Sequence, residues 1–203
     1  MNPFPEKRPP DIAEAQRSVR RFLEALGYAS DQPELLETPA RVVEAYLNEL
    51  VVGDRTDIAR LIEQDAVSSD SQSLVIVRDI AVATVCPHHL LPAQGSAMVA
   101  YLPGTRVLGL GTMTRLVDAC CRRLILQERI GPDIAQALMN HAGARGVYCA
   151  LRFEHACLRL RGARQASAVV ETVHVDGILR DPIHTAELML ALGVASAERR
   201  RDP

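Results

Sequence analysis

The chain changes its hydrophobic period once, and that change limits what it can fold into. Before the polar break "SSDSQS" the apolar residues recur at helical spacing, and after it they come in β-branched runs. A helical N-terminal segment followed by a sheet-based domain is the arrangement these two periods allow.

Three helices are expected before the break. Ile12, Val19, Phe22, Leu23 and Leu26 fall on one face and stop at Gly27, a residue suited to ending a helix. In "ETPARVVEAYLNEL", Thr38 can cap, Pro39 suits the first helical position, and Val42, Val43, Tyr46, Leu47 and Leu50 form one stripe. A third helix is expected in "DRTDIARLIEQDA".

Beyond the break, "LVIVRDIAVATV" and "GSAMVAYLPGTRVLGL" read as two antiparallel strands. Helices are expected from Thr112 to about Arg129 and from Pro132 to about Ala142, the second opened by Gly131-Pro132. "GVYCALRFEHACLRLRG" and "ASAVVETVHVDGIL" make another strand pair, and "HTAELMLALGVASAERR" a closing helix. The order β-β-α-α-β-β gives an α+β domain with an antiparallel sheet and helices on one face. The expected division is a flexible tail over 1–10, a helical segment over 11–68 and the main domain over 69–203.

Composition narrows the class of partner. A formal net charge of -2 argues against nucleic acid held on a general basic surface. No apolar stretch approaches the roughly 20 residues that span a bilayer, and "MNPFPEKRPP" is too polar for a secretion signal, so no membrane partner is expected and the cytoplasm is the expected compartment. Five cysteines lack the spacing of a disulfide scaffold, which suits a reducing compartment and points them toward metal or redox chemistry.

The informative loop is "TVCPHHLLPAQG". Cys86 and His89 form a Cys-x-x-His pair that one loop can aim at one cation. In "EHACLRLRG", His155 and Cys157 stand two apart on an expected strand, which would put both on one face. If the strand pairs share a sheet, four soft or borderline ligands converge, and a zinc site with three of them keeps an open position, as catalytic sites do. Cys120, Cys121 and Cys149 read as core residues. His141, His174 and His184 read as surface or capped residues, and Arg122 and Arg123 as solvent-facing.

Taken together, "CPHHLLPAQGSAMVAYLPGTRVLGL", "TRLV", "QER", "HACLRLRG" and "ETPARVVEAYLNEL" resemble the GTP cyclohydrolase I family, with consistent spacing from about residue 36 to 180. The resemblance implies a tunnelling fold, a homodecamer of two stacked pentamers, and sites between subunits. It implies Zn2+ on Cys86, His89 and Cys157, with His88 and His155 handling protons. It further implies guanine recognition by Gln127 and Glu128 and phosphate binding by Arg41, Arg115 and Arg161. The implied reaction opens the imidazole ring of GTP, releases formate and forms 7,8-dihydroneopterin triphosphate.

The chain departs from the family pattern at the phosphate end. Pro87 stands where the family has glutamate, and Gly109-Leu110-Gly111-Thr112 where it has Gly-Leu-Ser-Lys. Lys7 is the only lysine, so a replacement contact would have to be an arginine such as Arg106 or Arg164. Losing one charge-assisted phosphate contact costs about 1.5 to 3 kcal/mol. Glu171, in a stretch the family fills with threonine, would be unfavourable near a triphosphate. The same departures are compatible with a diverged paralogue that acts on a less phosphorylated purine compound or stops at the ring-opened formamide, and with a catalytically silent subunit.

Overall fold

The computed structural model describes residues 8–29, 31–71 and 73–198, with side chains as far as 193. Most of the expected flexible tail, including Lys7, lies outside the described residues, as do Arg199 and Arg200 at the end of the expected closing helix.

The N-terminal elements follow the helical stripes. Helix α1 (Ile12–Ala25) is capped by Asp11, whose side chain accepts from the Glu14 N–H, and Gly27 beyond its end has φ 91°. No residue of α1 is buried, and Ile12, Phe22 and Leu26 are exposed. Helix α2 (Thr38–Ala45) starts one residue earlier than its stripe suggested: Thr38 is already helical, and its hydroxyl donates to the Glu34 carbonyl. At Tyr46 the helix widens into a π turn over Tyr46–Leu50. The expected third helix divides into a 3-10 turn (Val52–Arg55) and α3 (Ile58–Glu63), because Asp57 caps the latter by accepting from the Arg60 N–H.

A short strand β1 (Ala66–Ser68) closes this segment and pairs with β4 (Arg106–Leu108). The main sheet is antiparallel throughout, in the order β2 (Val75–Val85), β3 (Pro92–Leu102), β5 (Gly146–His155), β6 (Val170–Gly177). Helices α4 (Leu110–Cys121) and α5 (Gln127–Ala142) lie between the two strand pairs in sequence, so the expected β-β-α-α-β-β unit is present.

Alternation along the strands sorts the two faces of the sheet. Val99, Tyr101, Val147, Cys149 and Phe153 point into the core against Leu116, Ile130, Ile134 and Leu138. The buried phenol of Tyr101 accepts from the Leu108 N–H at 3.0 Å. On the other face Ala100 and Tyr148 pack with Leu188 and Leu192 of α7 (Pro182–Glu198), the closing helix. Cys120, Cys121 and Cys149 are core residues as expected.

The break between α4 and α5 falls over 122–126, not at Gly131-Pro132. Tertiary contacts set it. The Val85 N–H and the Thr84 hydroxyl both bond to the Arg123 carbonyl, and Leu124 makes a bridge with Val85. Pro132 sits in the second turn of α5, where it removes one backbone bond, a cost the buried helix tolerates. Gly131 brings α5 against β6, since a Cβ there would meet the His174 Cβ at 2.9 Å.

Arg123 does not face solvent. It is 8% exposed and pairs with Asp133 at 2.8 Å and Asp54 at 3.2 Å, both carboxylates also buried. Arg122 pairs with Asp118 at 2.8 Å and donates to the Glu49 carbonyl. Among the described residues no helix is long and apolar enough to cross a membrane.

Candidate active site and metal centre

The β2–β3 connection is one helical turn. The Leu90 N–H donates to the Cys86 carbonyl and the Cys86 N–H to the Leu91 carbonyl, both at 2.9 Å. Pro87 opens this turn, where its missing N–H and fixed φ do no harm. Residues three apart on a helical turn share a side, and Cys86 Sγ lies 3.7 Å from His89 Nδ1. The His88 ring stands 6.2 Å away from that of His89 at 78°. Cys86 is buried, and both histidines are exposed.

Strand register brings the second half of the site to the same end of the sheet, with Val85 opposite Pro92 and Ala93 opposite His155. The expectation that His155 and Cys157 share a strand face is overturned. Strand β5 stops at His155, and a helical turn α6 (Ala156–Arg159) begins at the next residue. That turn carries Cys157 to Cys86 and His89, so one ligand atom from each lies within 4.8 Å of the others. Zinc–ligand bonds of about 2.0 to 2.3 Å hold tetrahedral ligands roughly 3.5 Å apart. Two thiolates and one imidazole at this spacing fit zinc and leave the fourth position open. Burial and the neighbouring Cys86 thiol push the Cys157 thiol up, while the Arg161 charge pulls the other way.

His155 turns instead toward α5. Its Nε2 lies 2.8 Å from Oε1 of Gln127, which is only 4% exposed. The Gln127 amide nitrogen donates to the Val170 carbonyl at 3.0 Å and to Thr172 Oγ1 at 3.3 Å. Those donations orient the amide, so Oε1 accepts, Nε2 of His155 carries the hydrogen, and Nδ1 is left as the acceptor. Burial lowers the His155 pKa from its ordinary value, with Glu128 opposing it.

Glu128 is exposed and lines a cleft of about 190 Å³ with Gly131, Leu151, Thr172 and His174, beside edge strand β6. Arg115 lines a second cleft at the opposite edge, with Val77, Asp79 and Ala81 of β2. It donates to Thr112 Oγ1 at 2.8 Å and lies 3.5 Å from Asp65. Thr112 is itself buried and donates to Asp65. Arg41 is exposed and pairs with Glu37 at 2.7 Å, and Arg161 is exposed just beyond α6.

Arg106 is not available as a phosphate contact, because its guanidinium donates to the carbonyls of Glu63, Ala66 and His141. Arg164 is exposed, with φ 51°. Glu171 pairs with Arg152 at 3.2 Å. Two contacts were not legible in the sequence: that of Arg123 with Asp54, 69 positions away, and that of the Tyr46 hydroxyl, in a residue that reads as one member of an apolar stripe, with the Leu90 carbonyl.

An antiparallel α+β domain that gathers two cysteines and a histidine, with two more histidines alongside, defines a protein whose site can hold one metal ion. The chain belongs to the GTP cyclohydrolase I family, whose sequence model matches residues 15–192. GTP cyclohydrolase 1 of Bifidobacterium longum (strain DJO10A) is 40% identical over 185 residues, covering 91% of this chain and 92% of that protein. GTP cyclohydrolase 1 of Leifsonia xyli subsp. xyli (strain CTCB07) is 38% identical over 187 residues, covering 92% and 98%. Among solved structures, an archaeosine synthase QueF-Like in the apo form is similar at a TM-score of 0.44 and 22% identity, over 53% of this chain and 97% of that one.

Proposed function

We infer that the chain opens the guanine imidazole ring of GTP by hydrolysis, releases formate and forms 7,8-dihydroneopterin triphosphate. The observation that carries this reading is the Cys86, His89 and Cys157 cluster beside a buried His155, in a chain of this family. Zn2+ held by those three residues would supply Lewis acidity and lower the pKa of water to about 7.

The other roles carry over from the family resemblance, and the geometry of this chain refines two of them. His155, kept neutral by burial, takes up a proton at Nδ1 while Gln127 holds Nε2. His88, on the same turn as His89 but directed elsewhere, is the second proton carrier and serves the departing ring nitrogen. Glu128 accepts from the ring N–H and exocyclic amine of guanine, a pair of donors adenine does not present. Gln127, with its amide already engaged, acts by orienting His155 more than by reading the base. Arg41, Arg115 and Arg161 bind the phosphates.

Subunit association completes the site. Glu128 lies at the β6 edge and Arg115 at the β2 edge of one sheet, with the packed core between them. A nucleotide touching both is served when β6 of one copy meets β2 of the next. This supports a homodecamer of two pentamers with sites between subunits; the pentamer count rests on the family resemblance. The unburied apolar face of α1, within the 11–68 segment that precedes the 69–203 catalytic domain, fits the same reading. The five free cysteines fit a cytoplasmic location.

A second reading, in which a less phosphorylated purine compound is preferred, is favoured by Asp65, a carboxylate set beside Arg115 and Thr112 where phosphate would bind. The test is to incubate the zinc-loaded protein separately with GTP, GDP, GMP and guanosine and to assay formate and pterin fluorescence. Formate and pterin from GTP, falling steeply as phosphates are removed, support the first reading. Equal or better turnover of GMP supports the second, and no product from any of the four overturns both.

A further inference from the structure

Leu90 ends the metal-binding turn in an unfavourable backbone conformation. Its φ is 55°, in the left-handed region that a branched side chain rarely occupies. Its N–H is held by the Cys86 carbonyl. Its own carbonyl points out of the turn and accepts a 2.5 Å hydrogen bond from the Tyr46 hydroxyl, 44 residues earlier. Tyr46 in turn stands where α2 gives way to the π turn, a local irregularity closed by the Val51 N–H on the Tyr46 carbonyl. Such bulges re-aim a side chain that a regular helix would direct elsewhere. Burial pushes the phenol above its ordinary range, so the O–H remains a donor throughout the neutral region.

We propose that Tyr46 is a positioning residue for the metal centre: its hydroxyl holds Leu90 in the left-handed conformation that closes the turn and aims Cys86 and His89 at one ion. The same contact ties the metal turn to α2, the helix that carries Arg41, so the N-terminal segment takes part in setting the site. This inference rests on the reading of Cys86, His89 and Cys157 as metal ligands.

Tyr46→Phe keeps the ring and removes only the hydroxyl. The wild-type and variant holoenzymes are compared for zinc affinity by competition with a chromophoric chelator, and for the visible spectrum of the cobalt-substituted form. The variant is expected to bind zinc roughly tenfold to a hundredfold more weakly and to show an altered cobalt spectrum. Its kcat is expected to fall with little change in KM for GTP. Leu90→Gly, which makes the left-handed conformation free of steric cost, is expected to restore part of the zinc affinity when added to Tyr46→Phe. Wild-type zinc affinity and an unchanged cobalt spectrum in Tyr46→Phe would overturn the proposal, as would failure of Leu90→Gly to restore any affinity. A wild-type chain that holds no metal would overturn the metal reading itself, and this inference with it. Zinc affinity is read without GTP, so a wrong substrate assignment leaves the test intact.

Discussion

Nε2 of His155 and Oε1 of Gln127 lie 2.8 Å apart, and the rest of the Gln127 amide is bonded to Val170 and Thr172 on the neighbouring strand. The first residue of one helix therefore fixes the ring at the end of a strand 28 positions later. That relationship gives His155 one defined tautomer, and under the proposed function it makes Gln127 a support for proton transfer.

Gln127→Ala is expected to lower kcat by roughly tenfold to a hundredfold, within the range of general acid–base contributions, with KM for GTP nearly unchanged. Gln127→Glu, which keeps an acceptor facing His155, is expected to recover part of the rate. Steady-state kinetics check both, and a rise in KM as large as the fall in kcat would return Gln127 to base recognition.

Cys157→Ser is expected to lose most bound zinc and all measurable turnover, as metal analysis after dialysis would show. Cys149→Ser should keep its zinc, because Cys149 is a fully buried core residue on β5. Equal zinc content in the two variants would refute the assignment of ligands.

Sites shared between copies predict complementation. Glu128→Ala and Arg115→Ala should each be nearly inactive as pure proteins. Dissociated, mixed and reassembled, they should recover about a quarter of wild-type activity, since random pairing leaves about that share of interfaces with both residues intact. No recovery would place both residues' functions within one chain.

Arg123→Met is expected to destabilise the fold by about 3 to 5 kcal/mol, because it leaves Asp54 and Asp133 buried without their cation. Adding Asp133→Asn should recover part of that loss. Urea unfolding at constant protein concentration measures both, and an effect below about 1 kcal/mol would mean that solvent reaches the pair.

Thiol reactivity should separate the cysteines by burial. Desolvation pushes Cys149 up to about 12, and Cys120 and Cys121 are raised as well. A raised thiol pKa keeps the group protonated and unreactive until the pH approaches that value. At pH 8 a chromogenic disulfide reagent should therefore label Cys157, the one cysteine that is not buried, first and spare Cys120, Cys121 and Cys149 until the protein is unfolded. Zinc should protect Cys157, and rapid labelling of Cys149 in the native protein would contradict its burial.

The sequence by itself determined the order of elements, because that depends on local properties, and its family resemblance singled out Cys86, His89 and Cys157 as the candidate metal ligands. Periodicity placed the helical segment and the β-β-α-α-β-β unit, and Cys86 and His89 were close enough in sequence for one turn to aim them. Only the tertiary structure decided the rest. His155 and Cys157 part company at the end of β5 because a helical turn begins there, which no two-residue alternation could reveal. The α4–α5 break falls at Arg123, whose carbonyl accepts from Val85 and Thr84 of β2, and not at the Gly-Pro signal, since contacts reaching back as far as 39 positions outweighed a local propensity. Tyr46, Gln127 and Asp65 make hydrogen bonds or charge contacts to residues far away in the chain. A directional contact of that kind exists only once two elements have been packed against each other, so it leaves no periodic trace in the sequence.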